Sequence, residues 1–364
     1  KNFPTEAGEF SLVTEGGAKQ PRIEFLTGVE LGQSFPSNWR ALIDQGLDSA
    51  TGYGGDYVVL SPTWTTTSIN PPQLEAVPGR DLLWNDFLTQ SAHVMLNKQK
   101  VIIFPQVNYA KTSEIFWMSS TKDHQWWTSW FEQYRRFILN YADLANLLKV
   151  HSIIIGEPSL SPSMTGGLLP DGTPSNVPAN SDEQWRQLVK DIRSRFSGSI
   201  MGIATVSSDS DRVPGWLDSV DMVYVEFSPK VKKAKSGTVL ELKQELNKAI
   251  NERVLPLYES YKKPIVIGIS YPSNSYAIGG FEPSDADQVV APSEVVDVKP
   301  DLALQARFYN AALLSVSSKD WITGFISRGF YPYVNTQDAS SSVYGKPAGD
   351  VLWFWYHFLL NKAP

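Results

Sequence analysis

"VHSIIIGEPSLSPSMTGG" (residues 150–167) runs from β-branched apolar residues straight into Gly156-Glu157-Pro158 and a Ser/Gly-rich loop. An apolar run of this length, closed by turn residues, reads as a strand buried on both faces, the kind found in parallel sheets. Its tip nevertheless carries a carboxylate. Glu157 is either a solvated strand end or an acid presented at the mouth of a barrel, and the choice turns on what surrounds the strand.

Strand-length apolar runs recur on both sides of it: residues 22–31, 56–62, 100–107, 199–206, 221–227, 264–271 and 322–329. Helical patterns separate them, including "LLWNDFLTQSAHVMLNKQ", "QWWTSWFEQYRRFILNYADLANLL", "DEQWRQLVKDIRSRF", "TVLELKQELNKAINERVLPLYESY" and "DLALQARFYNAALLSVSS", and "KPAGDVLWFWYHFLL" closes the series. Eight β units each followed by a helix is the count of a (β/α)8 TIM barrel. An open doubly wound sheet is less well matched, because "GVELGQSFPSNW" after the first strand is not a Gly-rich phosphate turn. The expectation is a single α/β barrel over residues 22–364, preceded by an extension at 1–21 that is flexible or packed on it. The longest loops follow strands four and seven, on the face where barrels carry their active sites. That placement makes Glu157 a rim residue.

Composition narrows the partners. The 364 residues are 42% apolar and 19% charged, with a net charge of −6 and no basic run, which argues against nucleic acid or an anionic membrane surface. Cysteine is absent, and the four histidines are dispersed without ligand spacing, so neither thiolate chemistry nor a His/Cys metal centre is expected. No cofactor is implied, no segment reads as membrane-inserting, and a monomer is expected. The 12 Trp, 15 Tyr and 17 Phe suit a large core and equally a cleft that stacks flat sugar faces. A start at Lys1 without Met reads as a mature or truncated chain from which an export signal has been removed, so extracellular or cell-surface placement is expected.

Strand alternation gives a facing test. In "DMVYVEF" the set Val223, Val225 and Phe227 is uniformly apolar and suits the helix layer, which turns Met222, Tyr224 and Glu226 inward with Glu226 nearest the mouth. In strand four the alternation is less decisive: Glu157 shares parity with Ile153 and Ile155, and an inward direction is allowed. Gln106 and Asn108 share a face after strand three, and Glu30 ends strand one as a third candidate carboxylate. Two rim carboxylates on different strands are what glycosidic cleavage needs, one protonated toward the leaving oxygen and the other attacking or activating water. The bland alternative for Glu226 is a salt bridge to Lys230, Lys232 or Lys233. Trp64, Tyr271, Tyr331 and Tyr333 are candidate sugar-contacting residues, and Arg328 is placed to hold an acidic sugar or to orient a catalytic Glu. Trp126, Trp127 and Trp130 read instead as anchors of a helix to the barrel.

Ile155-Gly156-Glu157-Pro158 resembles the Asn-Glu-Pro signature of clan A glycoside hydrolases, whose Glu is the general acid/base. "GGDYVVLSPTW" and "YGKPAGDVLWFWY" are similar to segments of family 113 β-mannanases, and "KPIVIGISYPS" resembles the strand-seven segment that carries the clan's nucleophile. The resemblance implies Glu157 as acid/base. It departs from the pattern twice: Gly156 replaces the Asn, and Gly268 stands near the nucleophile's position, with no further carboxylate until Glu282. The second carboxylate must then come from elsewhere; Glu226 is the first choice and Glu30 the next. The expected function is an exported hydrolase of β-linked polysaccharide or oligosaccharide, with a catalytically inactive carbohydrate-binding barrel as the alternative. A barrel lyase, isomerase or aldolase would need a metal cluster or an inward strand-end lysine, and neither is read here.

Overall fold

The computed structural model describes residues 24–32, 42–206, 213–231, 237–279, 300–332 and 338–362. In chain order the elements are β1 (Leu26–Leu31), α1 (Ile43–Gly52), β2 (Tyr57–Leu60), β3 (Thr63–Ile69), β4 (Pro72–Glu75), α2 (Trp84–Leu96), β5 (Lys100–Ile103), β6 (Gln106–Tyr109), α3 (Ser113–Ser119) and α4 (His124–Leu148). There follow β7 (Ser152–Ile155), α5 (Ser181–Arg193), β8 (Ser199–Thr205), β9 (Met222–Glu226), α6 (Val239–Ala249), α7 (Leu255–Tyr261), β10 (Ile265–Ile269), α8 (Leu302–Ser317), β11 (Ile322–Phe330) and α9 (Pro347–Leu359). Eight of the strands close into a parallel barrel in the order β1-β11-β10-β9-β8-β7-β5-β2. This is the expected (β/α)8 fold, with β7 as barrel strand four, β9 as strand six and β10 as strand seven.

Alternation sorts the strand residues into two cores. Tyr57, Val59, Ile102, Phe104, Ile154, Met201, Ile203, Tyr224, Val266 and Ile326 fill the barrel interior. Their neighbours in sequence, including Val58, Ile103, Ile153, Ile155, Val223, Val225 and Ile267, pack against the helices. The interior is therefore a packed core rather than a pore, and chemistry is confined to its C-terminal end. The inward set expected for β9 is the one found.

Two features were not anticipated. The segments after β2 and β5 do not turn away into loops: past Pro62 and Pro105 the chain resumes as β3 and β6, which pair in parallel, with β4 antiparallel on the outer edge. Proline lacks the ladder N–H, so the strands break there and resume as a second small sheet standing on the mouth. The buried Asp81 ties that sheet together, accepting from Thr63 Oγ1 (2.7 Å), Thr65 N (3.1 Å) and Val77 N (2.7 Å). Second, residues 239–261, which read as one helix, are α6 and α7 joined by a π turn at Ile250–Val254. Pro256, at the start of α7, cannot supply an interior helical N–H.

Helix α4 carries the aromatic cluster. Asp123 caps its N-terminus by accepting from Trp126 N at 2.8 Å. Trp126, Trp127 and Trp130 are buried against Trp117 and Tyr134, and the chain of rings continues through Trp185 to Trp216, stacked at 5.0 Å. These tryptophans anchor the helix, as expected.

Candidate active site

Glu30 and Glu226 stand at the C-terminal ends of β1 and β9, both inward and both buried. Between them lies Arg328 of β11. Its Nε is 3.2 Å from Glu30 Oε2, and its Nη2 is 2.5 Å from Glu226 Oε1. A bulge places it there: Val29 aligns with Ser327 and Leu31 with Phe330, so Arg328 and Gly329 together oppose the single residue Glu30. Gly329 has φ +78°, a backbone conformation that glycine adopts without cost. The Tyr224 hydroxyl donates to Glu30 Oε2 at 2.8 Å, while Glu226 Oε2 has no hydrogen-bond partner among the described residues.

Electrostatics divides the two acids. Burial pushes the Glu226 carboxyl up to about 7; Arg328 opposes the rise and Glu30 adds to it. Burial works against the Arg328 cation, but the Glu226 and Glu30 carboxylates raise its proton affinity above the ordinary value, so it stays charged. Burial, reinforced by Glu30, moves the Tyr224 hydroxyl well above its usual range, and it acts as a neutral donor.

Glu157 follows β7 on the neighbouring part of the rim. Gly156, at φ +84°, breaks the alternation, so the facing of Ile153 and Ile155 does not carry through to Glu157. The Glu157 Oε1 accepts from Val107 N at 2.8 Å, and the adjacent Gly156 N–H donates to the Tyr134 hydroxyl of α4 at 3.2 Å. A side chain at 156 would carry a Cβ 2.8 Å from Ile203 Cγ2, in addition to the strained φ, which is the physical reason that glycine stands where the clan signature has Asn. At Gly268 the corresponding space is filled: a Cβ would collide with the Tyr224 hydroxyl and lie 2.7 Å from Arg328 Cδ.

The other candidates separate. Tyr271 is fully buried, stacked 4.0 Å from Phe308 with its hydroxyl donated to Pro229 O, so it is a packing residue and not a stacking platform. Trp64 lies on Phe137 of α4 with the Arg136 guanidinium 5.6 Å from its ring, directed into the helix layer rather than the mouth. Asn108 is held by Thr65 Oγ1 (3.1 Å) in the Asp81 network. Gln106 is buried with Oε1 unpartnered among the described residues, and Tyr331 is buried beside Gly32 with its N–H on Ser342 Oγ. Lys232, Lys233, Glu282 and Tyr333 lie outside the described residues, as do residues 1–21. Arg328 is an ion partner of Glu226. Tyr224 had a facing but no role in the sequence; its position two residues before Glu226 on the same face was the available signal. Among the described residues no group of three His, Asp or Glu is placed to hold a metal, and no helix is long and apolar enough to cross a membrane.

The model of Glycoside Hydrolase Family 113 matches residues 175–342. Among solved structures, a complex of a GH113 β-1,4-mannanase superposes with TM-score 0.71 at 16% identity, covering 92% of this chain and 99% of that one. The GH113 β-mannanase of Alicyclobacillus acidocaldarius in complex with ManMIm gives TM-score 0.65 at 15% identity, covering 94% and 99%. A family 1 β-glucosidase from Thermotoga maritima gives 0.53 at 11% identity, covering 95% and 99%. These likenesses show the TIM-barrel fold. No curated protein matches the sequence.

Proposed function

We propose that the protein is a glycoside hydrolase that cleaves O-glycosyl bonds of a β-linked glycan at the C-terminal mouth of the barrel. The observation that carries this reading is Glu226: an inward, buried carboxyl whose proton affinity is pushed up to about 7. Oε1 accepts from Arg328, and Oε2, which makes no hydrogen bond among the described residues, is left to carry the proton. This gives Glu226 the role of acid toward the leaving oxygen. Glu157, oriented by the Val107 N–H, is the partner carboxylate, a role that differs from the acid/base function the clan resemblance implies for it. The match to the family model over residues 175–342 supports the reading and makes β-1,4-linked manno-oligosaccharides the first substrates to try. A polymeric substrate would be met outside the cytoplasm, and export is part of the same proposal.

One observation favours a second reading, a glycan-binding barrel without turnover. Tyr224 and Arg328 occupy the space above Gly268, so no carboxylate can stand at that point on strand seven. Incubation with β-linked oligosaccharides, followed by reducing-end assay, separates the two. Hydrolysis by the wild type, lowered about 100-fold or more in Glu226→Gln and in Glu157→Gln, supports the enzyme. Measurable affinity with no cleavage at any pH between 4 and 8 establishes the binding protein instead.

A further inference from the structure

Arg328 has one edge, Nε and Nη2 with their N–H bonds parallel, that ordinarily grips both oxygens of a single carboxylate. Here that edge is divided. Nε goes to Glu30 at 3.2 Å and Nη2 to Glu226 at 2.5 Å, so two carboxyl groups from opposite sides of β11 share one cation. The Tyr224 hydroxyl gives Glu30 Oε2 a second donor, while Glu226 Oε2 receives none among the described residues. The division is therefore asymmetric: Glu30 Oε2 has two donors, and Glu226 has half of a guanidinium grip. The strands flanking Glu226 put uncharged Thr205 and Gly268 beside it in register, so the ionisable groups facing it among the described residues are Arg328, Glu30 and Tyr224.

We propose that Glu30 is a positioning residue that keeps Glu226 protonated, by occupying the Nε of Arg328 and by presenting a negative charge to the shared cation. This rests on the hydrolase reading only for its catalytic consequence; the electrostatic relation stands apart from turnover. Two like charges that share one site cannot both ionise freely, and the better-donated one takes the charge. Burial contributes to the rise in Glu226, and Glu30 contributes in the same direction.

The test is a carbon-detected NMR titration of Glu side-chain carboxyls, with the Glu226 resonance assigned by its loss in Glu226→Gln. In Glu30→Gln the amide oxygen still accepts from Tyr224 and Arg328, and only the charge is removed. The expected midpoint of Glu226 falls by about 1–3 pH units. Glu30→Asp, which keeps the charge, restores a midpoint closer to the wild type than to Glu30→Gln. A purely structural role would lower the melting temperature of both variants without separating their midpoints, and an unchanged or raised midpoint in folded Glu30→Gln overturns the proposal. If the wild type hydrolyses glycan, the alkaline limb of its pH profile moves down with the NMR midpoint. If it does not, a shifted midpoint still upholds the positioning role while the hydrolase reading fails.

Discussion

At position 268 a missing side chain and a present one describe the same space. Gly268 leaves room that the Tyr224 ring and the Arg328 stem fill. Restoring even a methyl group forces those side chains to move, so Gly268→Ala is expected to lose about 1–3 kcal/mol of stability, measured by urea unfolding. Gly156→Asn is expected to destabilise by a similar mechanism, since its Cβ meets Ile203 while Asn tolerates the left-handed φ better than most residues. The sequence identified Glu157, Glu226, Glu30 and Arg328 as rim residues because strand ends on one face are countable. It did not reveal that two of them share the guanidinium edge of Arg328, because Glu30 and Arg328 are 298 positions apart and meet through a bulge.

Among the elements, the tip of β7 is supported from outside the barrel. Trp216 lies 3.5 Å from where a Gly156 Cβ would stand, and it is stacked on Trp185 of α5. Removing that ring takes the floor from beneath the Glu157 backbone. Trp216→Ala is expected to lose about 3–5 kcal/mol in chemical denaturation, and to lower any hydrolytic activity further than the loss of folded protein explains. The barrel strands and most helices were legible from apolar periodicity. The β3-β4-β6 sheet was not: "TWTTTSINPPQLE" is rich in Thr and Pro, with no apolar face of its own. It exists because β2 and β5 are already paired and their chains leave the barrel side by side. The same sheet draws Asn108 into the Asp81 network and Trp64 onto α4.

For the whole molecule, the buried acid couples stability to pH. A carboxyl raised from its ordinary range to about 7 binds a proton in the folded state that the unfolded chain has released, so its contribution is present below about pH 4.5 and is lost as pH rises through 7. The difference corresponds to about 3 kcal/mol. Burial, aided by Lys100, lowers the His151 proton affinity, and this runs the other way: its contribution is present above about 6.5 and is lost as pH falls. Denaturant unfolding at a series of pH values is expected to show a weaker fall between pH 5 and 8 in Glu226→Gln than in the wild type. An unchanged slope would mean that Glu226 titrates normally.

By itself the sequence determined the barrel, since eight apolar runs alternating with amphipathic segments can bury their surfaces in few other ways, and it determined which face and which strand ends carry the acids. Only the tertiary structure decided how those acids are paired. Proton affinity depends on burial and on charges a few ångströms away, and both arise when β1, β9 and β11 are brought together around one arginine.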